Sequence, residues 1–257
     1  MNTENEIYFS FLHEKNPEKK DETYFDPKQF DWASSMEGSW LAIKNEVLNY
    51  LNKDTKALKP YFASELMNAP NKWKTFAFYF WGLSMSKEAI KCCPKTIGIL
   101  KSIPNLVSAS VSVMEPNSEI KPHYGDSDAM YRCHLGLIIP DVLPNCGFRV
   151  GYEDRAWKEG KLLMFNDAAY HKAWNYSNER RVILIFDVVK PQYSDQSKWI
   201  SSKVRGGLIW QFITEKTGLF KSKKNGFTKM MGMVFAGVIY FLVFVFVRKS
   251  SLLKVLV

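Results

Sequence analysis

The stretch His123–Pro191, HYGDSDAMYRCHLGLIIPDVLPNCGFRVGYEDRAWKEGKLLMFNDAAYHKAWNYSNERRVILIFDVVKP, decides the fold. It carries one histidine in His123-Tyr124-Gly125, a second at the end of Asp167-Ala168-Ala169-Tyr170-His171, and Arg181 ten residues later at the head of an apolar run. The chain has four histidines, His13, His123, His134 and His171, and three of them fall in this window among segments with strand character. Neutral imidazole suits Fe, Zn, Cu and Ni, and two histidines on separate strands of a small barrel can point to one centre. A lone histidine reads as a hydrogen-bonded core or surface residue. The pair, followed by a cation inside an apolar strand, points to a metal site with an anionic co-substrate.

Working outward, Val107, Ala109, Val111 and Val113 alternate with Leu106, Ser108, Ser110 and Ser112, the period of a half-buried strand, so the barrel is expected to begin at Asn105. Further strands are predicted near Arg132–Ile139, Gly147–Tyr152, Lys161–Phe165 and Arg181–Val188, and Val189-Lys190-Pro191 ends the last. Upstream, Trp40, Ile43, Val47, Leu48 and Leu51 have helical spacing, and Trp73–Ala89 reads as a second helical or mixed region dense in aromatics. Those aromatics are read as core, or alternatively as the wall of a channel for an apolar substrate.

The segments Ser112-Val113-Met114-Glu115-Pro116, Pro122-His123-Tyr124-Gly125, Arg132-Cys133-His134-Leu135-Gly136, Trp157-Lys158-Glu159-Gly160-Lys161, Phe165-Asn166-Asp167 and His171-Lys172-Ala173-Trp174-Asn175 together resemble the aspartyl/asparaginyl β-hydroxylase family, which includes lipid A acyl 2-hydroxylases. The likeness covers about a third of the chain closely. It implies a mainly β protein, a double-stranded β-helix or jelly roll with N-terminal helices packed on it, binding Fe(II) and 2-oxoglutarate and using O2 to hydroxylate an unactivated carbon. By position it implies that His123 and His171 are the iron ligands. Asp167 would be a carboxylate that orients a ligand or a bound water. Arg181 would pair with the distal carboxylate of 2-oxoglutarate, helped by Ser112, through parallel charge-assisted bonds. Arg132 and His134, two apart on one strand face, would line the same pocket.

The common iron facial triad has two histidines and a carboxylate, the latter usually two residues after the first histidine. Here that position is Gly125, a gap that is part of the resembled pattern and implies water in the vacant ligand position. Asp126 and Asp128 read as loop carboxylates rather than ligands. No Ser-His-Asp arrangement and no phosphate-binding glycine loop is present.

Met230 to Val247 is free of charge and flanked by Lys229 and by Arg248-Lys249. As a helix it would run about 27 Å, close to the hydrocarbon thickness of a bilayer, so a C-terminal transmembrane helix is expected, with a buried core element as the other reading. The formal net charge of +9 has its source here: from Gln196 onward there are eleven basic residues against the single acid Glu215, while the rest is close to neutral. A basic excess beside an apolar span suits anionic lipid headgroups, and nucleic-acid binding is not expected. Leu208–Ile213 reads equally as an interfacial segment or as a helix packed on the barrel. The polar, acidic start Met1–Glu6 is no signal peptide, so the catalytic part is expected in the cytoplasm, attached by a single C-terminal anchor. Cys92, Cys93, Cys133 and Cys146 are read as reduced thiols without a zinc site. The expected organisation is a mobile leader 1–28, a helical portion 29–104, the catalytic β-helix 105–191, a basic linker 192–229, the span 230–247 and a tail 248–257.

Two acceptors compete at this level. The favoured one is C2 of a membrane-lipid acyl chain; the other is an Asp or Asn residue of a peptide. The peptide reading implies a basic residue two positions before Arg132, where this chain has Met130, although Arg149, Arg155 or Arg180 could serve from another direction. A third reading, a catalytically silent anchored receptor, gives no reason to keep two histidines with Ser112 and Arg181.

Overall fold

The computed structural model describes residues 7–12 and 22–217 and, beyond them, only the helical positions Val234 and Val238. The expected span 230–247 therefore lies, those two positions apart, outside the described residues. Among the described residues no helix is long and apolar enough to cross a membrane.

Two antiparallel sheets face each other. The larger contains β1 (Tyr24–Phe25), β2 (Lys59–Pro60), β3 (Trp73–Phe80), β4 (Leu83–Ser84), β5 (Leu106–Met114), β7 (Met130–Ile138), β10 (Leu162–Phe165) and β12 (Arg181–Val189). Its order is β1-β10-β7-β12-β5-β3-β2, with β4 paired to β3. The smaller sheet holds β6 (Ser118–His123), β8 (Cys146–Val150), β9 (Glu153–Arg155) and β11 (His171–Asn175), in the order β6-β11-β8-β9. From β5 onward the chain passes back and forth between the sheets, which is the winding of a jelly roll.

Both faces of the large sheet are covered, and the sequence of β5 shows why. Ala109, Val111 and Val113 are fully buried in the core shared with the helices, while Ser108, Ser110 and Ser112 face the space between the sheets. The helices are α1 (Asp31–Gly38), α2 (Trp40–Lys53), α3 (Lys87–Cys92) and α4 (Pro94–Ser102), bringing Met36, Ile43, Val47 and Leu100 into that core. Each such side chain, wholly removed from water, contributes about 1.5–3 kcal/mol. The core between the sheets is built on Phe148, Trp157, Phe165 and Ile183.

The large sheet begins earlier in the chain than the alternation at Asn105 indicates. Trp73–Phe80, expected to be helical or mixed, is a strand beside β5, and a register shift between Ala77 and Tyr79 breaks its alternation. Residues 7–12 and 24–25 are not a mobile leader. Ile7 and Phe9 are buried, Phe9 bridges Ser127, and Tyr24 and Phe25 pair with Phe165 and Met164. The last described element, α5 (Ser197–Thr217), packs on the barrel: Ile200 and Val204 are buried with Phe9, Trp81 and Met130. Farther along α5, Leu208 packs at the edge of this cluster and Phe212 is exposed, which leaves both readings of Leu208–Ile213 open.

Candidate active site

His123 ends β6 and His171 begins β11, and the two are directly paired across these strands. Their rings lie 4.3 Å apart, centroid to centroid. Each Nδ1 is 2.8–2.9 Å from a main-chain carbonyl, Lys121 O for His123 and Ala169 O for His171. A carbonyl only accepts, so both Nδ1 atoms carry the proton and both Nε2 atoms keep a lone pair, as in metal-binding histidines. Burial lowers both pKa values from the ordinary imidazole range, well below it for His171, which keeps the rings neutral.

The space that a side chain at position 125 would occupy is already taken. A Cβ built on Gly125 would fall on the carboxylate of Asp167, whose main-chain oxygen also accepts from Gly125 N at 2.8 Å. Asp167 is fully buried, with Oδ1 3.9 Å from His171 Nε2, and Oδ2 accepts from Asp126 N at 2.6 Å. The carboxylate absent from 125 is thus replaced in space by one from the turn before β11. Among the described residues no group of three His, Cys, Asp or Glu forms a metal cluster, so the donor set is the imidazole pair with Asp167 beside it.

Arg132 serves this carboxylate rather than a ligand. Its Nη1 donates to Asp167 Oδ1, its Nε to Asp187 Oδ1 at 2.7 Å, and its Nη2 to Asp126 Oδ2 at 3.2 Å. One cation among three carboxylates leaves an excess of acid. Burial pushes Asp167 up to about 7, Arg132 opposing and Asp126 and Asp187 adding to the rise. Asp187 is the residue that sequence reasoning missed here, although a lone acid inside Arg181–Val189 was a signal for it.

Behind the histidines lies a narrow cavity of about 50 Å³ lined by Trp73, Ser112, His134, Trp157, Arg181 and Ile183, among others. Arg181 is 1% exposed, and its Nε and Nη1 have no hydrogen-bond partner. Burial pushes its pKa down to about 10, and the face of Trp157 lies 4.7 Å away. Trp157 Nε1 donates to His134 Nδ1 at 3.2 Å, which leaves Nε2 of this neutral ring as an N–H donor. Trp73 Nε1 donates to Ser112 Oγ at 3.0 Å, so the serine hydroxyl retains its own proton to give. No carboxylate lines the cavity among the described residues, and apart from the two Nε2 lone pairs of His123 and His171 at its entrance its free polar groups are donors. A buried unpaired cation amid donors fits a small anion, and the neighbouring Nε2 pair fits a divalent metal.

Ser112, His134 and Arg181 are therefore brought together as expected. Arg132 lines the cavity too, but its guanidinium is taken by three aspartates. Two tentative substrate contacts lie elsewhere. Arg149 points to solvent and is paired with Asp154, because on β8 it alternates with the inward Phe148 and Val150. Met130 is fully buried against α5 and residues 7–9, so its lack of charge carries no information about the acceptor.

A second space opens from His123 and Arg132. It is a cleft of about 360 Å³ walled by Tyr61, Phe62, Tyr79, Phe80, Trp81 and Phe212. Within the aromatic run Phe76 and Phe78 are core, whereas Trp73, Tyr79, Phe80 and Trp81 line this cleft.

Fold and site define a jelly-roll protein with a two-histidine pocket backed by a buried, unpaired arginine. Residues 37–191 match the family model for aspartyl/asparaginyl β-hydroxylase, and the chain belongs to that family. It is 34% identical over 172 residues to the ornithine lipid ester-linked acyl 2-hydroxylase of Rhizobium tropici, covering 65% of this chain and 60% of that protein. It is 29% identical over 187 residues to human aspartyl/asparaginyl β-hydroxylase, covering 70% of this chain but 24% of that longer protein. Of solved structures, a prolyl-4-hydroxylase of Pseudomonas putida superposes with a TM-score of 0.41 at 10% identity, covering 58% of this chain and 86% of the other.

Proposed function

We propose that this protein is an Fe(II)- and 2-oxoglutarate-dependent dioxygenase that hydroxylates an acyl chain of a membrane lipid, at C2. The observation that carries the reading is the unpaired, fully buried Arg181 guanidinium behind two imidazoles with free Nε2 atoms. Iron with 2-oxoglutarate and O2 supplies the oxidising power, with 2-oxoglutarate ending as succinate and CO2. His123 and His171 hold the metal. Arg181, Ser112 O–H and His134 Nε2–H receive the distal carboxylate of 2-oxoglutarate. Asp167, fixed by Arg132 and by Asp126 N, orients the imidazole side of the site and a water there, standing where a facial-triad carboxylate would project. Phe148, Trp157 and Phe165 exclude bulk water from the reacting centre.

The acceptor reading follows from the cleft. Among the described residues that line it, the charged ones are Asp126, Arg132 and Asp187, and both carboxylates are paired to the one guanidinium. A peptide carboxylate would find no uncommitted cation there, whereas aromatic walls suit a hydrocarbon chain. The 34% identical relative is named for acyl 2-hydroxylation, in keeping with this. The apolar segment 230–247 with its basic flanks would hold the catalytic domain at the lipid surface.

The test offers an acyl lipid and an Asp/Asn-containing peptide in parallel, following succinate release and the mass of each acceptor. Lipid gaining one oxygen while the peptide remains unchanged is expected. Hydroxylated peptide with untouched lipid would replace the acceptor reading, and succinate-free reactions with both would favour a silent receptor.

A further inference from the structure

The floor of the cleft is a row of residues that crosses the large sheet. His134 on β7 is in register with Ile185 on β12, Ile185 with Ser110 on β5, and Ser110 with Ala77 on β3. Directly opposed residues of antiparallel strands share a face, so the row runs from the anion cavity outward along one surface, about 14 Å at ~4.8 Å per strand. The cavity and the cleft adjoin along it: His134 lines the first, Ile185 both, and Ser110 and Ala77 the second. The two outer places hold small side chains in a cleft otherwise walled by the bulky Tyr61, Tyr79 and Trp81. At the far wall Phe62, from the loop after β2, meets Phe212 of α5 edge to face, with ring centroids 5.9 Å apart. Phe212 is 44% exposed and so stands at the mouth.

We infer that this cleft is the channel for the acceptor's hydrocarbon tail, that Ser110 and Ala77 set the length of chain it accepts, and that Phe62 and Phe212 close its outer end. The inference deepens the acyl-acceptor reading and rests on it. The occupant is a single acyl chain, because the cleft adjoins the site that must receive the reacting carbon, sharing His123, Arg132 and Ile185 with it, and its charged linings are already mutually paired. A larger side chain at 110 or 77 would fill the space the tail needs. Ser110 lies one strand nearer the cavity, so blocking it truncates the tail more severely than blocking Ala77. Such an order by position is not what general damage to the fold would give.

The experiment uses the full chain without metal. A conjugated polyene fatty acid is bound, energy transfer from tryptophan is read (Trp73 and Trp81 line the cleft), and saturated chains of increasing length compete it off. Ser110→Phe and Ala77→Phe should weaken long chains on the order of tenfold or more. The longest chain retained should be shorter in Ser110→Phe than in Ala77→Phe, and Phe212→Ala should admit longer chains than wild type. Ser110→Val and Ala77→Val give the same order in milder form should the phenylalanine variants misfold. Wild-type affinity for every chain in the Phe or Val variants would overturn the inference, as would a wild-type protein that takes no acyl probe. Absorption of the iron-chelated keto acid, measured separately, reports the cofactor reading, so failure of one is distinguishable from failure of the other.

Discussion

At the residue scale the site is organised by where a proton or a side chain has no room to be. The carbonyls of Lys121 and Ala169 hold the Nδ1 protons of His123 and His171 and so direct both lone pairs. The same logic makes Gly125 a packing requirement: its missing Cβ is the space of the Asp167 carboxylate. Gly125→Ala should therefore cost about 1–3 kcal/mol of stability by overpacking, seen as a lower urea midpoint at unchanged slope. Adding Asp167→Gly should remove most of that cost; an additive double variant would show that the two positions do not compete for space. The histidine pair, Ser112, His134 and Arg181 were legible in the sequence because each lies in a short motif with characteristic neighbours. The destination of Arg132 was not. Its partners Asp126, Asp167 and Asp187 come from three separate segments, and only folding shows that they consume the guanidinium. Arg149 and Met130 failed for a related reason, since one residue of strand phase decides whether a side chain faces the pocket or leaves it.

At the element scale, strands that alternate cleanly were readable, and β5, β7, β8, β10 and β12 lie close to their expected positions. β6 contains Pro122 and is partly exposed, β11 is short and polar, and β3 carries a register shift inside an aromatic run; each lacks the period-two signal. β3 and β4 are joined through Trp81 and Gly82, at φ 48° and 80°, a two-residue turn with both residues left-handed. Glycine adopts this readily and tryptophan does not, so the turn needs support. It comes from α5, where the buried Arg205 donates from Nη1 to Trp81 O at 2.5 Å. Arg205→Met should destabilise the protein by about 1–3 kcal/mol and raise hydrogen exchange selectively in the Phe80–Ser84 turn and in α5. Exchange rising evenly over all strands would deny this link between α5 and the cleft wall.

At the scale of the whole molecule, a jelly roll is insulated by helices on one face and faced by its smaller sheet on the other, and among the described residues the cleft beside α5 opens onto His123. The helix that borders this cleft precedes the basic, apolar C-terminal sequence, an order that suits a substrate drawn from a lipid surface. The full chain should float with vesicles containing anionic lipid, and replacing 230–247 by a Gly/Ser-rich stretch of equal length should abolish flotation without altering the keto-acid site; unchanged flotation would move the membrane contact elsewhere. The most direct test of the central claim is anaerobic titration of the full chain with Fe(II) and 2-oxoglutarate, following the visible charge-transfer absorption of an iron-chelated keto acid. The account predicts a saturable band in the wild type, none in His171→Ala, and in Arg181→Met a band that needs on the order of a hundredfold more 2-oxoglutarate, from the loss of two charge-assisted bonds. A folded wild-type protein without the band, or a His171→Ala variant that keeps it, would contradict the account.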